Sequence, residues 1–173
     1  MFEISRRNLV LSAAGAFAAF GLTKPVAFIG AAQAQPANPG FFKHKVGDIE
    51  VTSLSDGIVE VPHREGFIKN ANVEQTKGAL RAAGLSDVHV PVPFTAMAVK
   101  IGDRLILIDT GTGGFPIYGP KAGILAQSMA AAGLDPKAVK TILISHLHGD
   151  HIYGLMNKDT NAQIFPDAEI IVP

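Results

Sequence analysis

Residues 146–151 read His-Leu-His-Gly-Asp-His, which places three of the chain's six histidines and one carboxylate within six positions. No other stretch limits the fold so strongly. The run follows residues 141–145 (TILIS), a short apolar, β-branched segment of the kind that forms a strand covered on both faces. A loop of ligand-type residues straight after a buried strand points to a metal site. In an extended segment residues two apart point the same way, so His146 and His148 can converge on one ion. Gly149 lets the chain turn and aim Asp150 and His151 at a neighbouring position. Imidazoles with a carboxylate suit zinc, or iron and manganese, and four such donors fit two adjacent positions better than one. The chain has no cysteine, which removes thiolate ligands, a catalytic thiol and a disulfide framework.

The N-terminus reads as an address. Ser5-Arg6-Arg7-Asn8-Leu9-Val10 opens an uncharged stretch that runs to residue 23, and a small-residue run ends at Ala32-Gln33-Ala34. A charged start, an apolar middle and an A-x-A end are the three parts of a secretory signal. The arginine pair, with Leu9 in the hydrophobic slot, resembles a twin-arginine export signal. An uncleaved anchor is the alternative, but the apolar stretch falls short of the roughly 20 residues that span a bilayer. We therefore expect residues 1–34 to be a cleaved signal, residues 35–40 (QPANPG) a linker and residues 41–173 the folded domain, in the periplasm.

Of 15 basic and 15 acidic residues, Arg6, Arg7, Lys24 and Glu3 lie in that signal, which leaves the remaining 139 residues a net charge of −2. Such a surface has no footprint for a polyanion, so the expected partner is a small molecule and not nucleic acid. Membrane contact is expected only in transit, through the signal. Oligomeric state is not legible.

Along residues 41–61, alternating apolar positions predict strands, with Gly47-Asp48 and Asp56-Gly57 as turns. Residues 73–83 have a helical composition closed by Gly84, and residues 88–94, with two prolines, read as irregular or an edge. A hairpin is expected across Gly102-Asp103, a loop over residues 111–120, a helix over 122–132 ended by Gly133, and a buried strand over 168–172. Strands followed by strand–helix–strand give an α/β layered fold. Asp109 is either support for the metal ligands or an ordinary turn carboxylate. Asp56 reads as a turn residue, and His44, His63 and His89 as surface or loop residues.

At His146, His148, Asp150 and His151 the chain resembles the metallo-β-lactamase-fold hydrolases, whose signature is H-x-H-x-D-H after a strand. Asp109-Thr110-Gly111 resembles the family's upstream Asp-x-Gly turn, and Gly154-Leu155 its Gly-Leu after the signature. The resemblance implies an αββα sandwich, of which this chain would be the N-terminal half. It also implies two divalent metal ions, most simply zinc, the first on His146 and His148 and the second on Asp150 and His151. The family's two later histidines and bridging aspartate have no counterpart after His151, where only Asp159 and Asp167 follow. A metal-held hydroxide, oriented by Asp150 as the catalytic carboxylate, would attack an ester, lactone or phosphotriester. The glycine-rich loop and the segments around the signature resemble exported lactonases and organophosphate hydrolases. H-x-H-G-D-H-x-x-G-L also resembles the tRNA 3′-processing nucleases, against which the export signal and the acidic domain argue. An iron-dependent oxygenase of the same fold, a true β-lactamase and an inactive fragment are the other readings.

Overall fold

The computed structural model describes residues 40–173. The expected signal and all but the last residue of the expected linker lie outside the described residues. Six strands form one sheet in chain order: β1 (Phe41–Val46), β2 (Ile49–Pro62), β3 (His89–Ile101), β4 (Arg104–Ile108), β5 (Val139–Leu143) and β6 (Glu169–Ile171). The first four pair antiparallel, and β4, β5 and β6 run parallel. Helix α1 (Val73–Ala82) joins β2 to β3, α2 (Leu125–Ala131) lies between β4 and β5, and α3 (Gly149–Ile152) is a single turn after β5. No helix among the described residues is long and apolar enough to cross a membrane.

The sheet buries one face. Leu54, Ala96, Ala98, Leu107 and Ile142 form one cluster with Leu125, Met129 and the residues Leu105, Ala132, Val139, Ile144 and Phe165. Small alanines on β3 stand between leucine on β2 and leucine and isoleucine on β4 and β5, so large and small side chains alternate across this face. The opposite face is also apolar. Cross-strand neighbours Met97, Ile108, Leu143 and Ile171 line up there, and Met97 and Ile171 are exposed. A helix packed on one face of a mixed sheet matches the expected layered α/β fold.

Three expectations change. Asp56-Gly57 is not a turn: β2 runs straight through, and the register skips from Ser55 opposite Thr95 to Gly57 opposite Phe94. Asp56 is the extra residue of a bulge, which swings its carboxylate into the core. Gly57 is required there, because its φ is +91° and a Cβ would stand 1.9 Å from the Lys121 carbonyl oxygen.

Residues 89–94 are part of β3 and form an edge, as one of the two readings expects: they pair with β2 only, since β4 begins opposite Ile101 and ends opposite Met97, and an edge tolerates Pro91 and Pro93. Helix α2 starts three residues later than expected, because Ala122 bridges to Gly57 and Gly123 has φ +84°. Finally, β6 is exposed rather than buried: it is the edge strand, and α2 packs over the far side of the sheet, on β1 and β2. The hairpin across Gly102-Asp103 is as expected, with Ile101 opposite Arg104.

Candidate metal centre

Parallel strands end side by side, so the carboxyl ends of β4 and β5 bring Asp109 next to Ser145 and the hexapeptide that follows it. The Asp109 N–H donates to the Leu143 carbonyl at 2.9 Å, which ties the two strand ends together. Asp109 then turns with φ +60°, a left-handed conformation that Asp adopts more readily than most residues. That turn points its carboxylate across the strand ends.

Asp109 is the hub of the site. Its Oδ1 accepts from the Ser145 N–H at 2.8 Å. Its Oδ2 accepts from the Ser145 hydroxyl at 2.8 Å and from His151 Nδ1 at 2.8 Å. Burial works to raise this carboxyl, but the Ser145 N–H, His151 and the Ser145 hydroxyl together hold it below the ordinary carboxylate range. Because the Ser145 hydroxyl donates to Asp109, its lone pairs are free to accept from His146 Nδ1 at 3.1 Å. Both histidines therefore commit Nδ1 to this network and present Nε2 outward.

What Nε2 meets decides the chemistry. His146 Nε2 lies 3.2 Å from His148 Nδ1, and His151 Nε2 lies 3.2 Å from Asp150 Oδ2. Two ligands each about 2.1 Å from one tetrahedral ion stand about 3.4 Å apart, so both spacings suit donors that share a cation. In the second pair a neutral His151, already donating from Nδ1, turns a lone pair towards a carboxylate oxygen. That contact is repulsive unless a positive charge, a proton or a metal, sits between them. The donor set fits two divalent ions, each with two ligands from this segment. Among the described residues no three or more such side chains already gather round a single point. The four residues singled out in the sequence thus come together as two pairs.

The segment is pinned from behind. The His151 carbonyl accepts from the Thr110 N–H at 2.8 Å and from the Thr110 hydroxyl at 2.9 Å, and the Gly154 N–H donates to the Gly111 carbonyl at 3.2 Å. A Cβ on Gly154 would lie 1.8 Å from the Thr110 carbonyl oxygen, so the loop after β4 and the hexapeptide touch backbone to backbone. His44 stacks on Phe42 on β1, and His63 Nε2 bonds the Asp87 carbonyl at 2.9 Å. Neither joins the donor pairs, and nor does His89 on β3. Ser145 and Thr110 were not singled out in the sequence. Their only signal is adjacency, one residue before His146 and one after Asp109.

Asp109→Asn tests the hub. The amide would turn donor atoms towards the Ser145 hydroxyl or His151 Nδ1–H, which favours the tautomer that carries its proton on Nε2. Zinc affinity at the Asp150–His151 pair is expected to fall about 10- to 100-fold, read by zinc titration. An unchanged affinity would remove Asp109 from the metal centre.

The metallo-beta-lactamase superfamily model matches residues 91–157. Among curated proteins, ribonuclease Z of Pyrococcus furiosus is 37% identical over 60 residues, 35% of this chain and 16% of the relative. Ribonuclease Z of Methanothermobacter thermautotrophicus is 38% identical over 61 residues, with the same coverage. Among solved structures, AidC, a dizinc quorum-quenching lactonase in complex with a product, is 33% identical with a TM-score of 0.65. The match covers 76% of this chain and 44% of that one. The hydrolase AbOPH of the beta lactamase superfamily is 30% identical with a TM-score of 0.66, covering 78% of this chain and 45% of that one. The chain thus spans under half the length of these structures and about a sixth of the curated relatives.

Proposed function

We infer that the chain belongs to the metallo-β-lactamase superfamily, and from that premise that the protein is a metal-dependent hydrolase of a small ester, lactone or phosphotriester. The observation that carries this reading is the pair of 3.2 Å donor spacings, His146 with His148 and Asp150 with His151, backed by a buried carboxylate that fixes the ring orientations. Two bound divalent cations, most simply zinc, would supply a water made nucleophilic near neutral pH and polarise the carbonyl or phosphoryl group under attack.

The chain's own residues do the rest. His146 and His148 hold one donor pair, and Ser145 fixes the His146 ring by accepting from Nδ1. His151 and Asp150 hold the other. Asp150, about a quarter exposed, orients the attacking water and accepts its proton. Asp109 orients His151 without touching substrate.

The substrate class draws on the dizinc lactonase and the hydrolase, which resemble about three quarters of this chain. The ribonuclease Z matches favour a second reading, a nuclease, but they extend over 35% of the chain. A domain of net charge −2 offers a nucleic-acid backbone little attraction. We place the protein in the periplasm, exported by the signal in residues 1–34, with a small molecule as its partner.

Metal analysis of the purified protein, with assays on aryl esters, lactones and phosphotriesters, tests the reading. The expected result is bound zinc and turnover that stops on chelation and returns with added zinc. Iron without ester turnover would establish the oxygenase reading instead. Hydrolysis of RNA alone would establish the nuclease.

A further inference from the structure

The turn that carries Asp150 has no side-chain cap of its own. Helix α3 is a single turn, and His148 at its N-cap makes no side-chain hydrogen bond to it. A short helix leaves its first N–H groups without partners, and these are usually met from outside. Here a tyrosine from the glycine-rich loop after β4 lies against that end of the turn.

A Cβ added to Gly149 would stand 2.6 Å from the Tyr118 hydroxyl oxygen, and 2.5 Å and 2.7 Å from two ring atoms of Tyr153. The two rings lie directly on Gly149. The Tyr118 hydroxyl oxygen therefore packs from across the loop on Gly149, the residue that precedes Asp150. Tyr118 is itself held in place: its ring meets Phe94 of β3 edge-on at 5.4 Å, and Tyr153 at 6.2 Å. Phe115 packs on the other side of Tyr153 at 4.6 Å. Four aromatic side chains from β3, the loop and the segment after α3 thus form one buttress, and the Tyr118 hydroxyl and the Tyr153 ring rest on Gly149.

Resting on the metal-centre reading above, we propose that Tyr118 is a positioning residue for the second donor pair, its hydroxyl holding the turn that sets Asp150 against His151. The first pair depends on it less, because His146 is fixed from Ser145 and both of its histidines precede Gly149. The two pairs should therefore respond differently to loss of one hydroxyl. Gly149 follows from the same geometry: its φ is not left-handed, so alanine would suit the backbone, and only the two rings exclude a side chain.

The experiment is a zinc titration of the full chain, followed through the side-chain resonances of the individual histidines, with Tyr118→Phe and Gly149→Ala as variants. Tyr118→Phe keeps the ring and its packing and removes only the hydroxyl that rests on Gly149. It is expected to weaken zinc binding reported by His151 about fivefold while that reported by His146 and His148 stays within about twofold. Gly149→Ala drives both rings away and is expected to give the same selective loss, larger in size. Equal weakening at both pairs, or no weakening at either, overturns the role of Tyr118 and leaves the metal centre standing. An unsubstituted chain that takes up no zinc overturns the metal-centre reading and this inference with it.

Discussion

Asp56→Ala is expected to destabilise the protein by about 3–5 kcal/mol, measured as the shift in the urea unfolding midpoint. The carboxylate is 1% exposed and accepts three hydrogen bonds. The Thr112 N–H and hydroxyl each donate to Oδ2 at 2.7 Å, and the Leu125 N–H donates to Oδ1 at 2.8 Å. The last of these is an N–H at the start of α2, which Ile124 at the N-cap leaves without a side-chain acceptor. Removing the carboxylate strands two buried N–H groups and the Thr112 hydroxyl, at about 1–3 kcal/mol for each unsatisfied group. A domain with roughly 5–15 kcal/mol in total would lose a large share of it.

Asp56→Asn is the graded control. Its oxygen can serve one side, but its amide nitrogen cannot accept from the other, so an intermediate loss is expected. A loss below about 1 kcal/mol for Asp56→Ala would mean that the loop after β4 is held by something else. Because that loop carries Asp109, Thr110 and Tyr118, a destabilised variant should also bind zinc more weakly.

The contrast between Asp56 and the hexapeptide explains how much could be read from the sequence. His146, His148, Asp150 and His151 announce themselves because their chemistry is local: two pairs within six residues, each brought to 3.2 Å by one extended step or one turn. The β3–β4 hairpin was legible for the same reason, since a two-residue Gly-Asp connection sets its own register. Asp56 meets its partners 56 and 69 residues away, and a bulge in mid-strand has the same dipeptide signature as a turn. Ser145 acts through Asp109, and Tyr118 through its packing on Gly149, contacts that exist only once β4 and β5 lie parallel. The exposed edge at β6 was misread because composition reports what a strand can bury, not which neighbour stands over it. Residue identity therefore picks out the candidate donors, and topology supplies what orients them.

Asp150→Asn is expected to lower turnover about 10³-fold while the His146–His148 pair keeps its zinc affinity. The substitution is nearly isosteric, so the turn over Gly149 and the packing of Tyr118 and Tyr153 should persist. Two things are lost together. The carboxylate oxygen 3.2 Å from His151 Nε2 gives up its negative charge, which weakens attraction for a cation shared with His151. The group that accepts the proton of the attacking water disappears as well, since an amide oxygen is too weak a base to take it. Proton acceptance of this kind contributes about 10²- to 10⁴-fold, and saturating zinc can restore occupancy of the second pair but not that factor. Turnover measured across a zinc series separates the two: recovery to within tenfold of the unsubstituted protein at high zinc would leave Asp150 a ligand and nothing more. A deficit of about 10³-fold that persists at saturation makes it the base. A third result, full activity at every zinc level, would move both the second metal and the proton acceptor to other residues.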